Sequence, residues 1–201
     1  MTFLESLEEL HALYGTPGPA SLRKEAPRVT PGYRRLIEAA PFLALATVGP
    51  EGMDCSPRGD RPGRLVRILD ETTLALPDRR GNDRIDSLRN ILRDPRVALM
   101  FLIPGSGNAL RVNGTARLTA DEALCASFEM EGKRPRSVAV IAIETIYFQC
   151  ARAVIRAKLW EPYAAPDLPT PGEILAAMTA GEVGGARYDA EWPERAAKTM
   201  W

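Results

Sequence analysis

Phe42-Leu43-Ala44-Leu45-Ala46-Thr47-Val48, then Gly49-Pro50-Glu51-Gly52, then Met53-Asp54-Cys55-Ser56 decides the architecture. A short apolar run of strand length meets a turn of Gly and Pro, and a second run returns. That is a β-hairpin. Further strands follow downstream. Arg64–Leu69 and Thr72–Leu76 flank a turn at Asp70-Glu71. Arg96–Pro104 holds the continuous apolar run Val97–Ile103, the mark of a buried strand. Ala109–Leu118 follows the turn Gly105-Ser106-Gly107-Asn108, and Ser137–Cys150 is long. About six strands joined mostly by turns, with few helices between them, exclude regular βαβ alternation. A mainly β, α+β fold is expected: a closed or partly closed antiparallel barrel with helices at its edge.

Helices frame these strands. Residues 2–13 repeat apolar side chains at helical spacing, and a short helix runs from Tyr33 to Ala40, stopped by Pro41. Pro57–Gly63 reads as an irregular connector. A helix is expected from about Asp83 to Arg93, with Asp83 as its cap and Asp86 placed as in a capping box. Others are expected over 119–130, 151–159, 171–178 and 190–199. The chain divides into an N-terminal helical extension (1–40), a barrel domain (41–160) and a Pro-rich C-terminal extension (161–201).

Acidic and basic residues balance at 26 each among 201 residues, which argues against a general nucleic-acid binder. No apolar run approaches the roughly 20 residues that span a bilayer, and the N-terminus lacks the pattern of a secretory signal. A cytoplasmic protein is expected, with neither membrane nor nucleic acid as partner. The three cysteines, Cys55, Cys125 and Cys150, form no CxxC pair and no disulfide framework. Cys55 and Cys150 read as packed thiols. The single histidine, His11, lies in the N-terminal helix, so neither a histidine-rich metal site nor a Ser-His-Asp triad is expected near the barrel. No metal site and no catalytic side chain is assigned. Any hard chemistry would belong to a cofactor.

The densest chemistry lies at Pro77-Asp78-Arg79-Arg80-Gly81-Asn82-Asp83-Arg84, between a strand end and a helix start. A helix start offers free N–H groups and the positive end of the helix dipole. Arginines beside it favour an anion, and Gly81 and Asn82 allow backbone shapes in which N–H groups converge. A phosphate-bearing small molecule is the natural guest. Solvated charges paired with Asp78, Asp83 and Asp86 are the plainer alternative. Gly105-Ser106-Gly107 opens a strand rather than a helix, so it is a turn and not a dinucleotide motif. Asp54 and Asp60 read as lone carboxylates. Tyr147, Phe148 and Trp160 are either core or a wall for a flat ring.

Ser56-Pro57-Arg58-Gly59-Asp60, the arginine loop with Ile85-Asp86-Ser87-Leu88-Arg89-Asn90, and Arg111-Val112-Asn113-Gly114 together resemble the pyridoxamine 5'-phosphate oxidase-related family over roughly residues 30–160. The resemblance implies a six-stranded antiparallel split barrel that binds FMN and forms a homodimer with flavin sites at the interface. It implies that Arg79, Asn82 and Arg84 lie near the phosphate and ribityl end, with Ser87 in the same string. Ser56, Pro57, Arg58 and Gly59 would run along the ring. Arg111 and Asn113 would lie on a neighbouring strand. Arg152, Lys158 and Trp160 would come from the partner subunit. The lysine and the arginine–histidine substrate signature of true pyridoxamine phosphate oxidases are missing, so vitamin B6 oxidation is not expected. The implied activity is flavin-dependent oxidoreduction of a small-molecule substrate or electron donor. A non-catalytic redox sensor or stress-response protein is the alternative, and haem or a deazaflavin are weaker ligand choices.

Overall fold

The computed structural model describes residues 1–164 and 166–200. Its centre is one antiparallel sheet of seven strands, in the order β2-β1-β5-β6-β7-β4-β3. The strands are β1 (Phe42–Gly49), β2 (Gly52–Gly59), β3 (Arg67–Asp70), β4 (Thr73–Pro77), β5 (Arg96–Leu102), β6 (Ala109–Thr119) and β7 (Val138–Gln149). The helices are α1 (Leu7–Leu13), α2 (Pro19–Arg23), α3 (Pro31–Ala39), α4 (Asp86–Arg93), α5 (Glu122–Ala126), α6 (Arg152–Arg156), α7 (Pro171–Met178) and α8 (Gly185–Thr199). None of them is long and apolar enough to cross a membrane.

Alternation explains the core. Leu43 and Leu45 of β1, Val97, Leu99 and Phe101 of β5, Leu110 and Val112 of β6, Ile141 and Ile146 of β7, and Leu74 and Leu76 of β4 all enter a single apolar cluster. Strands from both ends of the sheet share that cluster, so the sheet curls around it as a split barrel. Strand β2 adds nothing apolar to it. It pairs only with β1, in the register Leu43↔Arg58, Leu45↔Ser56 and Thr47↔Asp54. Its inward side chains are therefore polar and need a cover, which α4 supplies. Asn90 of α4 donates from Nδ2 to Thr47 Oγ1 at 3.1 Å. Gly49 lets the helix approach, because a Cβ there would sit 2.1 Å from Asn90 Oδ1.

Several expectations need correction. The strands number seven rather than six. Strand β2 continues through Pro57-Arg58-Gly59, which read as a connector; proline is tolerated because β2 is an edge strand. Strand β3 starts at Arg67 rather than Arg64, after a turn in which Arg64 N donates to Arg61 O. Helix α1 begins at Leu7, capped by Ser6, instead of at residue 2. Asp83 is not a helix cap. Helix α4 begins at Asp86 behind Ile85, which is left-handed at φ 54°, with no side-chain cap. Asp83 is itself left-handed and pairs with Arg136 at 3.1 Å. Helix α5 is shorter than its pattern suggested, and α8 is longer.

Within the N-terminal stretch, Ala26 bridges to Ile146 and Val29 N donates to Glu71 O at 2.7 Å. Ile37 and Ala40 sit in the core. Helices α7 and α8 form a hairpin closed by Asp189, which accepts from Thr170 Oγ1 at 2.6 Å and from Gly172 N at 2.9 Å.

Candidate functional site

Strand alternation sends Asp54, Ser56 and Arg58 to the face of β2 that α4 covers. The helix meets them with Ser87, one residue into its first turn and only 3% exposed. Ser87 Oγ donates to Asp54 Oδ2 at 2.6 Å and lies 2.8 Å from Ser56 Oγ. Asp54 is therefore not a lone carboxylate: it anchors the start of α4 to the edge strand.

The end of β2 is tied across the barrel seam by two ion pairs. Arg58 Nη1 donates to Asp78 Oδ1 at 2.7 Å. In the reverse sense, Arg79 Nε donates to Asp60 Oδ2 at 2.8 Å. Arg79 also donates from Nη1 to the Phe128 carbonyl at 2.7 Å. Side-chain exposure is 1% for Asp60 and 13% for Arg79, so this pair is largely withdrawn from water. Strands β2 and β4 lie near opposite ends of the sheet order, so the crossed pairs latch the seam. Reading Asp60 as unpaired is corrected, and in this chain Arg79 turns toward Asp60 and Phe128. Arg58 keeps a buried Nε–H with no protein acceptor.

Beyond the latch, the loop is open. Arg80, Gly81, Asn82 and Arg84 are exposed. Asn82 Oδ1 accepts from Arg84 N at 3.2 Å, an Asx-type turn that shapes the approach to α4. Arg84 Nε donates to Asp86 at 2.8 Å, and Arg89 lies 3.8 Å from the same carboxylate. These exposed pairs match the plainer reading of the loop as solvated charges, and each is worth little to stability. The first turn of α4 nevertheless presents N–H groups with no side-chain cap, flanked by two arginines that can swing.

The other predicted residues fall elsewhere. Pro57 and Gly59 alternate onto the outer face of β2, opposite Ser56 and Arg58. Arg111 and Asn113 share that outer face through the register Pro57↔Ala44↔Met100↔Arg111. Three strand spacings separate Pro57 from Arg111, roughly 14 Å. Arg111 stacks over Tyr147 at 5.2 Å, and Lys24 lies over Tyr147 and Phe148 at 5.5 and 5.0 Å. Arg152 opens α6, Lys158 pairs with Glu161 at 3.6 Å, and Trp160 Nε1 donates to Ser106 O at 2.6 Å. One chain therefore gathers Ser56, Arg58, Arg79, Asn82, Arg84 and Ser87, and leaves the rest in two other groups.

Cys55 and Cys150 are exposed rather than packed, whereas Cys125 is buried. The Arg152 backbone N–H, helped by the charges of Arg152 and Lys24, holds the Cys150 thiol below its usual range. Burial pushes Cys125 up. The partners the sequence reading missed are Asp54 and Asp60. Their signal was the alternation Asp54, Ser56, Arg58 along β2, continued by Asp60 just past its end.

A family model described as pyridoxamine 5'-phosphate oxidase matches residues 29–150. The chain belongs to this family. The matched span holds all seven strands, the latch and the start of α4, and it ends before Arg152, Lys158 and Trp160. A crystal structure of HupZ from Group A Streptococcus aligns with 20% identity and a TM-score of 0.50, over 61% of this chain and 94% of that one. A pyridoxamine 5'-phosphate oxidase candidate from Lactobacillus delbrueckii aligns with 23% identity and a TM-score of 0.49, over 61% and 95%. An F420 reductase structure aligns with 21% identity and a TM-score of 0.44, over 60% and 98%. The HupZ likeness concerns the fold. A search of curated proteins gave no match. Helices α1, α2 and α6–α8 extend beyond the family match.

Proposed function

We propose that this member of the pyridoxamine 5'-phosphate oxidase family is an FMN-binding oxidoreductase, acting as a cytoplasmic homodimer that passes hydride or electrons between the flavin and a small molecule. The observation that carries the reading is the β4–α4 junction inside the family match. There an uncapped helix start stands beside exposed Arg84 and Arg89.

The residues fit the group. A phosphate suits the free N–H groups of the first turn of α4, and the guanidinium forks of Arg84 and Arg89 can leave an exposed aspartate for a ligand of higher charge. Arg58 holds a buried Nε–H in reserve for an acceptor on the same ligand. When bound, FMN supplies the hydride-accepting chemistry, so neither a histidine base nor an activated thiol is required. The protein's part is to hold the phosphate, fix the ring and exclude water. The outer-face group of Arg111 and Asn113, and the α6 group of Arg152, Lys158 and Trp160, are assigned to the site of a second copy. That assignment accounts for residues that one chain leaves apart.

The test is titration of the purified protein with FMN and with riboflavin, followed by flavin absorbance and fluorescence. FMN binds, and the Arg84→Ala/Arg89→Ala double variant loses about 10- to 100-fold in FMN affinity. Riboflavin affinity changes by less than about threefold, since that ligand has no phosphate for the arginines to hold. Absence of FMN binding, or equal losses for both ligands, refutes the reading. Consumption of a reduced nicotinamide by the loaded protein distinguishes an enzyme from a flavin-holding sensor.

A further inference from the structure

Helix α1 buries none of its residues. Leu7, Leu10 and Tyr14 recur at i, i+3 and i+7 and so share one face, with Phe3 just ahead of it and Leu13 at its edge. Phe3 is 74% exposed, Leu7 66%, Leu13 68% and Tyr14 71%. Single exposed leucines are ordinary, but a contiguous stripe of large apolar side chains marks an interaction surface. The rest of this segment is acidic. Glu5, Glu8 and Glu9 stand among residues 1–22, which hold no lysine or arginine. A membrane surface suits such a helix poorly, because anionic lipids attract basic faces.

Helix α6 has the opposite charge and the same bare apolar surface. It too buries nothing. Ile155 is 67% exposed and Leu159 43%. Arg152, Arg156 and Lys158 surround them, and residues 150–160 hold no acid. The two helices are complementary in apolar character and in charge.

Both belong to one chain, yet they do not pack on each other. Lys24 lies over Tyr147 and Phe148, close in sequence to the start of α6, so a route back was open. Gly15-Thr16-Pro17-Gly18-Pro19 and then α2 separate α1 from Lys24, and prolines hold such a spacer extended. The partner of α6 is then the α1 of another molecule. Both helices lie outside residues 29–150, so the family barrel accounts for neither.

We infer that α1 of one copy docks on α6 of a second copy: an exchanged N-terminal arm, with Leu7, Leu10 and Tyr14 on Ile155 and Leu159 and the glutamates toward Arg156. The inference rests on the homodimer proposed above, and it requires neither FMN nor a substrate. In that dimer α6 is the segment given to the second copy's site, and the second copy's α1 clasps it there.

The experiment cross-links the full chain through paired cysteines. The exposed native thiols, Cys55 and Cys150, are first replaced by serine. Leu10→Cys and Ile155→Cys are then introduced alone and together, and treated with a bismaleimide that reaches about 10 Å, the spacing of packed helices. Sedimentation gives the oligomeric state, and circular dichroism verifies folding. The chain is expected to be a dimer. A covalent dimer is expected on a denaturing gel from the double-cysteine chain and from the two single-cysteine chains coexpressed, and from neither single-cysteine chain alone. Adding Glu8→Lys/Glu9→Lys slows the cross-linking by at least about fivefold. Four results in a dimeric protein overturn the inference and leave the homodimer standing: a link closed within one chain, a covalent dimer from either single-cysteine chain alone, no link, or a rate indifferent to the charge reversal. A monomeric chain overturns both, whatever its affinity for FMN.

Discussion

Replacing Asp60 by alanine removes the acceptor that holds Arg79 across the seam. The Asp60 carboxylate is 1% exposed and both its oxygens are in use: Oδ2 takes Arg79 Nε at 2.8 Å, and Oδ1 takes the Arg61 backbone N–H at 2.7 Å. Breaking a buried pair by removing one partner typically costs about 3–5 kcal/mol, because the surviving charge stays out of water. Arg79 is 13% exposed and still donates to Phe128 O, which places the cost at the low end, about 3 kcal/mol. At about 2–4 °C per kcal/mol for a chain of this size, the melting temperature falls by about 6–12 °C. Urea unfolding followed by circular dichroism measures it, with Asp86→Ala as the exposed control expected to cost under about 1 kcal/mol. In the Asp60→Ala/Arg79→Ala double variant, coupling of about 1–3 kcal/mol is expected. A loss below about 0.5 kcal/mol for Asp60→Ala, or strictly additive single variants, would refute the latch as a stabilising element.

Three further outcomes are expected. Arg96 holds the Asp94 carboxyl down at about 2, against an ordinary value of 3.8. A folded-state value below the unfolded one stabilises above the unfolded value and is lost as pH falls through the folded one. The deficit of Asp94→Asn in urea midpoint is therefore full at pH 6 and shrinks between pH 4 and pH 2. Cys150, exposed and with its thiol held low, is alkylated by iodoacetamide at pH 7.5 well before buried Cys125, as read by peptide mass spectrometry. Gly114→Ala drives a Cβ to 2.0 Å from the Ala142 carbonyl oxygen at the β6–β7 irregularity. It should cost about 1–3 kcal/mol in a thermal melt, more than the same change at open Gly81.

The strands were legible because local rules govern them. Phe42–Val48 and Val97–Ile103 are apolar runs ended by turn residues, and both became strands of the core. The start of α4 was not legible. Asp83 has the chemistry of a cap, but the chain places a left-handed isoleucine at 85, which no propensity favours, and begins the helix after it. The arginine loop was found as a dense basic stretch beside a helix. Its internal order was not found, because the bonds that set it span 20 residues from Arg58 to Asp78 and 49 from Arg79 to Phe128. Spacing rules reach four residues in a helix and two in a strand, so they cannot show such pairings. The same limit hid the role of Asp54, whose partner Ser87 is 33 residues away.

The latch and the helix start divide the work of the arginines according to burial. Arg58 and Arg79 face Asp78 and Asp60 in a half-dry seam, where a charge must be matched and a matched charge is costly to remove. Arg84 and Arg89 face Asp86 in water, where their pairing is weak and exchangeable. A dianionic ligand at the start of α4 competes with a single exposed carboxylate for the second set and need not disturb the first. On the proposed reading, folding and ligand capture draw on different arginines and do not oppose one another. Substitutions in the two sets are expected to separate them: loss of Arg79 to lower stability, and loss of Arg84 with Arg89 to lower FMN affinity in a chain that still folds.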